Sequence, residues 1–125
     1  MVPLRYPRLW SALGWLLAAG VCVGSLIPGN HLPSPGIEDK AVHFGSYLLL
    51  MVWFAGLYDR RHHVTIAVGL VALGFALDGL QTFVSTRQFD MLDVGANAAG
   101  VAAGFVLARL LLAGWCQRVE RLLLT

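Results

Sequence analysis

The fold is decided by residues 64–83, VTIAVGLVALGFALDGLQTF, a stretch in which Asp78 is the one charged side chain. A helix needs about 20 apolar residues to cross the hydrocarbon core of a bilayer, which is about 30 Å thick. The stretch is long enough, and it lacks the alternation of apolar and polar residues that marks a membrane β-strand. It therefore predicts a transmembrane helix in which Asp78 and Gln81 lie toward the C-terminal end.

Three more stretches have the same character, which gives predicted helices at about 10–27, 41–57, 64–83 and 94–113. The composition agrees, because 58% of the residues are apolar and 13% are charged, whereas soluble domains have about 45–50% and about 25%. The sequence therefore predicts an all-α fold, a four-transmembrane-helix bundle that forms a single domain over residues 1–125.

The basic residues are distributed unevenly between the two sides of such a bundle. Of the 9 Lys and Arg residues, only Lys40 and Arg87 lie in the link between the first and second predicted helices or in the link between the third and fourth. The others lie in the N-terminal region, in the loop between the second and third helices, and in the C-terminal part of the chain from Arg109 onward. Because basic residues favour the cytoplasmic side, both termini are predicted to be cytoplasmic, and the ends that carry Lys40 and Arg87 are predicted to face outward.

Two polar clusters lie on that outer side, at the edges of the apolar runs. Their members are Asp39, Lys40, His43 and Tyr47 in the first cluster and Asp78, Gln81, Arg87, Asp90, Asp93 and Asn97 in the second. Charged groups beside hydrocarbon-length segments are costly unless they face a protein interior or a wet cavity. Spacings of three and four residues place the members of each helix on one face. We therefore expect one shared polar site inside the bundle.

Simpler structural roles exist for several of these residues. Asp93, or Asp90, can serve as the N-cap of the fourth helix. A hydrogen bond from Asp78 to a polar neighbour on another helix would account for its position in lipid, and His43 can likewise be an interhelical hydrogen-bonding residue. Tyr47 is expected to pack, with its hydroxyl closing the polar network.

Other chemistries are less well supported by the sequence. A metal site built from Asp39, His43, Asp78 and Asp90 lacks the paired histidines or cysteines of common zinc sites, so no metal or cofactor is predicted. Cys22 and Cys116 have neither CxxC nor metal-ligand spacing and are interpreted as packing residues. Ser46, Ser85 and Thr86 lie in no nucleophile-elbow sequence. The formal charge of +2, without a basic stripe, predicts no nucleic-acid partner.

Small residues recur at spacings of four in two of the predicted helices. Gly20 and Gly24 form such a pair in the first helix, and Ala96, Gly100 and Gly104 form a series in the fourth. This pattern allows helix backbones to approach closely in a membrane. We expect the contacts to lie within the chain, because four helices must bring their polar faces together.

Three segments also carry the motifs of a known family. Residues 39–47, DKAVHFGSY, match the pattern D-K-x-x-H-x-x-x-Y, and residues 78–83, DGLQTF, match (E/D)-x-x-Q. Residues 87–100, RQFDMLDVGANAAG, match R-x-x-D-x-x-D-x-x-x-N-x-x-G. In this order and spacing, over about residues 24–107, the chain resembles the VanZ-like membrane proteins. Asp78 stands where the family usually has glutamate, which shortens the reach of the carboxylate.

The resemblance implies a small multi-pass protein of the bacterial cytoplasmic (inner) membrane. The founding member of the family is associated with low-level resistance to the glycopeptide antibiotic teicoplanin. A site on the outer face fits such a phenotype, because lipid-linked cell-wall material is exposed there.

The leading hypothesis is a pocket that binds the polar headgroup of a membrane lipid or a lipid-linked cell-wall precursor. Lys40 and Arg87 would contact phosphate. The other polar residues would hold the pocket or contact sugar hydroxyls; they are Asp39, Tyr47, Asp78, Gln81, Asp90, Asp93 and Asn97. His43 is the candidate for proton transfer, because histidine titrates nearest neutral pH.

Two alternatives remain open. The first is an envelope hydrolase or transferase in which His43 and Asp78, or His43 and Asp90, form an acid–base pair. The second is a purely structural membrane protein in which the polar cluster holds the helices together. The sequence predicts neither the ligand nor the oligomeric state.

Overall fold

Helices make up most of the described chain. The computed structural model describes residues 1–26, 37–84 and 91–123, with the side chains of residues 26, 37–39, 81 and 84 outside the description. The α-helices within these ranges are α1 (Pro7–Leu26), α2 (Ile37–Leu57), α3 (His63–Val84), α4 (Met91–Leu110) and α5 (Trp115–Leu123).

Four of these helices are long and apolar enough to cross a membrane. The candidate spans are Pro7–Ser25, Lys40–Leu57, Arg60–Leu80 and Met91–Leu110. Their length and composition confirm the predicted all-α fold with four transmembrane helices. The side on which the termini lie stays a prediction.

The predicted helix ends differ from the observed ones by a few residues. The first helix begins at Pro7 rather than residue 10, since proline is well suited to the first position of a helix. The fourth helix was predicted over 94–113 but runs over Met91–Leu110. The amides of Leu111 and Leu112 both donate to the carbonyl of Leu107, and Gly114 has a φ of 66° in the turn that follows. The apolar composition continues through this turn, so hydropathy alone placed the end too late.

The central contact of the bundle is between α2 and α4, which run in the same direction. A Cβ atom at Gly100 would collide with the Phe44 carbonyl oxygen, and one at Gly104 would lie 2.8 Å from the Leu48 carbonyl oxygen. Such distances mean that the two backbones touch, which only glycine allows. The prediction that the small residues of the fourth helix pack within the chain is therefore confirmed for Gly100 and Gly104.

The helices differ in how far they are enclosed by the rest of the described chain. In the span Lys40–Leu57, 44% of the residues are buried, against 11% in Pro7–Ser25. The α2 helix is therefore central and α1 is peripheral. Gly20 and Gly24 on α1 face open space within the described chain, so this pair makes none of the expected close contacts there.

The α2 and α3 helices are joined by a short link that contains a 3₁₀ turn at Arg60–His62. The link reverses the chain, so α3 runs antiparallel to α2 and packs beside it. As a result, the C-terminal part of α3 lies at the same end of the bundle as the beginnings of α2 and α4.

A tryptophan cluster occupies the opposite end of the bundle, where α5 follows α4. The ring centroids of Trp53 and Trp115 are 5.2 Å apart, and Trp10 lies 5.7 Å and 5.5 Å from them. The indole of Trp115 donates to the Val52 carbonyl at 2.7 Å. The cluster therefore ties α1, α2 and α5 together.

Glu120 of α5 fastens the N-terminal segment to the same cluster. Its carboxylate accepts hydrogen bonds from the backbone amides of Arg5 and Tyr6, at 2.7 and 2.9 Å, and from the Trp10 indole at 2.9 Å. Burial by itself would raise the pKa of Glu120, but these three donors and the charge of Arg5 hold it below its ordinary value. The ionised carboxylate is therefore the form that the fold binds.

The α2–α4 contact gives a prediction about stability. Gly100→Ala should lower the free energy of unfolding by about 1–3 kcal/mol, because the added methyl overpacks a backbone contact. Gly69→Ala is the matched control, since Gly69 is exposed on α3 with nothing near its Cβ position. It should leave stability unchanged or raise it by up to about 1 kcal/mol through helix propensity. Thermal unfolding in detergent measures both. Equal effects of the two substitutions would contradict the assigned contact.

The Glu120 contacts give a prediction about pH. The stability that Glu120 contributes is present above the pKa of an unfolded glutamate and is lost as the pH falls through the lowered pKa of the folded state. Acidification should therefore release the N-terminal segment and change the tryptophan fluorescence. Glu120→Gln should remove this transition, whereas Asp59→Asn, at a half-exposed acid of the same end, should keep it. An unaltered pH profile in Glu120→Gln would show that another group is responsible.

Candidate functional site

An ion pair between α2 and α4 forms the outer edge of the candidate site. The Lys40 Nζ atom lies 2.9 Å from Asp93 Oδ1. The Asp93 side chain is 3% exposed, whereas that of Lys40 is 31% exposed. The carboxylate is therefore enclosed, and the ammonium group marks the mouth of the site.

Asp93 occupies a different place in α4 from the predicted one. It lies in the first turn of the helix, which begins at Met91, and so it is not the N-cap. A carboxylate in the first turn still interacts favourably with the positive end of the helix dipole. Its main partner, however, is the lysine of the neighbouring helix.

One turn deeper, a second polar pair joins the same two helices. His43 Nδ1 lies 3.1 Å from Asn97 Oδ1, and both side chains are buried. An amide oxygen accepts hydrogen bonds, so the facing Nδ1 carries the proton. The neutral ring then has Nε2 as its acceptor. This pair confirms the interpretation of His43 as an interhelical hydrogen-bonding residue.

The α3 helix reaches this pair through a glycine that the sequence analysis did not single out. A Cβ atom at Gly74 would lie 2.9 Å from Asn97 Nδ2 and 3.3 Å from Tyr47 Cζ. Gly74 therefore allows α3 to seat against both side chains. The sequence alone does not distinguish Gly74, because Gly69 and Gly79 of the same apolar helix have nothing near their Cβ positions.

Tyr47 and Asp78 complete the described part of the site. Both are almost fully buried, and they are close enough to interact electrostatically. The Tyr47 ring packs as predicted. Its hydroxyl, expected to close the polar network, makes no hydrogen bond within the part of the chain that the structure describes.

The structure thus brings together six of the predicted residues from three helices. These are Lys40, His43, Tyr47, Asp78, Asp93 and Asn97. The predictions for Asp39, Gln81, Arg87 and Asp90 fall outside the described side chains. Within the described residues, no group of three or more His, Cys, Asp or Glu side chains is arranged to hold a metal ion.

Comparison with known proteins identifies a relative but no activity. The chain is 35% identical over 80 residues to the uncharacterized protein C11E3.10 of Schizosaccharomyces pombe. The aligned region covers 61% of this chain and 49% of that protein, so the chain spans about half the length of the relative. No family model and no solved structure matches the chain. The resemblance to VanZ-like proteins therefore stays a prediction.

The ion pair at the mouth gives a testable double-mutant cycle. Lys40→Met removes the ammonium partner of an enclosed carboxylate and should lower the free energy of unfolding by about 3 kcal/mol or more. Lys40→Met/Asp93→Leu removes both charges and should recover most of this loss, because apolar replacements for both partners are tolerated. Thermal unfolding in detergent provides the measurement. The single variant Asp93→Leu completes the cycle, and a double variant whose loss equals the sum of the two single losses would argue against coupling between the side chains.

Proposed function

We propose that the polar site binds the headgroup of a membrane lipid or of a lipid-linked envelope precursor. The observation that carries the proposal is the convergence of polar side chains from α2, α3 and α4 inside an otherwise apolar bundle. Polar groups at such a depth are costly, and in membrane proteins they mark binding sites or pathways more often than the surrounding apolar faces do. The partly exposed ammonium group of Lys40 supplies an entrance from the end of the bundle.

Each part of the headgroup has a chemical counterpart in this proposal. The Lys40 ammonium, together with Arg87, contacts a phosphate group, because ammonium and guanidinium groups make charge-assisted hydrogen bonds to phosphate. The buried carboxylates of Asp78 and Asp93 and the amide of Asn97 hold the pocket or accept hydrogen bonds from sugar hydroxyls. The apolar faces of the spanning helices contact the acyl or prenyl chains.

The proposed orientation places both termini in the cytoplasm and the polar site on the outer face. It is supported by the basic residues of the chain, since Arg60 and Arg109 lie at the end of the bundle opposite Lys40. The resemblance to VanZ-like proteins extends the proposal to a bacterial cytoplasmic membrane and to a link with teicoplanin resistance. The similarity to a yeast protein shows that related sequences also occur in a eukaryote.

A structural role is the second candidate, and a specific observation favours it. Lys40 contacts Asp93, and His43 contacts Asn97, so both pairs link α2 to α4 without a ligand. Hydrogen bonds between membrane helices stabilise a bundle by about 0.6 kcal/mol each on average. Under this proposal the pairs matter for folding, and no ligand is bound.

The double variant Lys40→Met/Asp93→Leu separates the two candidates, because it should fold while lacking the charges at the mouth. The protein is placed in phosphatidylcholine nanodiscs with added phosphatidylglycerol or polyprenyl phosphate, and bound lipid is measured by native mass spectrometry. Headgroup binding predicts retention of an anionic lipid by the wild type and at least about tenfold weaker retention by the double variant. Arg8→Gln, at an exposed basic residue of the opposite end, is the control and should bind like the wild type.

The contrary results are equally specific. Identical lipid retention by the wild type and by a folded double variant would reject headgroup binding and leave the structural role. If the wild type converts the added polyprenyl phosphate to a product and His43→Ala abolishes this conversion, the protein is instead an envelope hydrolase or transferase.

A further inference from the structure

A second polar cavity lies at the end of the bundle opposite the candidate site. It has a volume of about 190 Å³ and is enclosed by the end of α2, the 3₁₀ turn, the end of α4 and the start of α5. The charged and titratable residues on its wall are Tyr58, Asp59, Arg60, His63 and Arg109, and Gln117 adds an amide. Arg60 and Ala113 are exposed, so the cavity opens to the surface.

His63 gives the first indication that the cavity receives a ligand. The residue is 5% exposed. Its Nε2 atom lies 2.9 Å from the Ala55 carbonyl oxygen and 3.2 Å from that of Tyr58. Two carbonyl acceptors require Nε2 to carry a proton, which leaves Nδ1 as the acceptor of the neutral ring. Nδ1 is buried and makes no hydrogen bond within the described chain, and a buried polar atom left in this way is costly.

Arg109 supplies an independent indication on the same wall. The central carbon of its guanidinium group lies 4.5 Å from the centre of the Phe105 ring. Nη2 makes a long hydrogen bond of 3.4 Å to the Arg60 carbonyl oxygen. The Nε donor is buried without a hydrogen-bond partner among the described residues. Arg109 and His63 therefore line the same small cavity, and each has one buried polar atom without a hydrogen-bond partner within the described chain.

The charge balance of the wall favours an anion. Arg60 and Arg109 contribute two positive charges, and Asp59 contributes one negative charge that is offset by Arg61, 3.7 Å away. The cavity also lies at the height of a membrane surface, because Arg60 begins one candidate span and Leu110 ends another. Basic pockets between transmembrane helices at this height are suited to phosphate-bearing headgroups.

We infer that this cavity binds a phosphate group that carries or adjoins a hydroxyl. The phosphate oxygens accept from Arg109 Nε and from the Arg60 side chain, and the hydroxyl donates to His63 Nδ1. Both orphaned atoms are then satisfied by one ligand. Two sources have this chemistry: free inorganic phosphate and the headgroup of a glycerol phospholipid such as phosphatidylglycerol. The inference does not depend on the function proposed for the polar site at the other end.

Binding by the full-length protein tests the inference. Isothermal titration in detergent measures the affinity for inorganic phosphate, and native mass spectrometry of nanodiscs measures retention of phosphatidylglycerol over phosphatidylcholine. Arg109→Gln should weaken binding about tenfold or more, as expected for the loss of a charge-assisted hydrogen bond. Arg121→Gln, at an exposed arginine of α5, is the matched control and should bind like the wild type.

A second variant keeps the test valid if Arg109→Gln folds poorly. Ala113→Trp fills the exposed mouth of the cavity, leaves both orphaned atoms in place and should abolish binding. Binding of free phosphate supports a soluble ligand, whereas binding of phosphatidylglycerol alone supports a lipid headgroup. The inference is overturned if neither probe binds the wild type, or if Arg121→Gln weakens binding as much as Arg109→Gln and Ala113→Trp does not.

Discussion

Direct backbone contact between α2 and α4 is the constraint on which the polar site depends. Gly100 and Gly104 let α4 lie against the carbonyls of Phe44 and Leu48. These contacts fix which residue of α4 lies beside each residue of α2. In lipid there is little hydrophobic drive between helices, and close packing of small residues supplies much of their association. The same register places Asp93 beside Lys40 and Asn97 beside His43. A shift of one turn would separate both pairs.

The polar pairs and the glycine contact reinforce each other because the interior has a low dielectric constant. An ion pair or amide contact that is lost there leaves a polar group with no water to replace the partner. The glycines bring the helices close enough for the pairs to form, and both pairs are made when Lys40 faces Asp93 and His43 faces Asn97. Gly74 extends this arrangement to α3, since it seats that helix against Asn97 and Tyr47. Folding of the bundle and assembly of the site are therefore one process.

The sequence predicts the spans and the meeting of the polar residues for a clear physical reason: both follow from the cost of placing polar groups in hydrocarbon. Hydropathy locates the four helices, and the rarity of Asp78, His43 and Asn97 in such runs indicates a shared interior. Other features depend on contacts between distant residues and could not be read from composition. Glu120 binds the N-terminal segment, and the three tryptophans join α1, α2 and α5. The end of α4 was missed because the turn after it is as apolar as the helix.

The unequal exposure of Lys40 and Asp93 bears on the headgroup binding that we propose for the polar site. A headgroup that approaches from outside meets the lysine, which is 31% exposed, before the enclosed carboxylate. In the binding that we propose, the phosphate approaches the exposed side of Lys40, and the enclosed carboxylate of Asp93 stays beside the lysine. If the carboxylate of Asp93 lay outermost, it would repel a phosphate group. If both Lys40 and Asp93 were enclosed, no phosphate group could reach the ammonium.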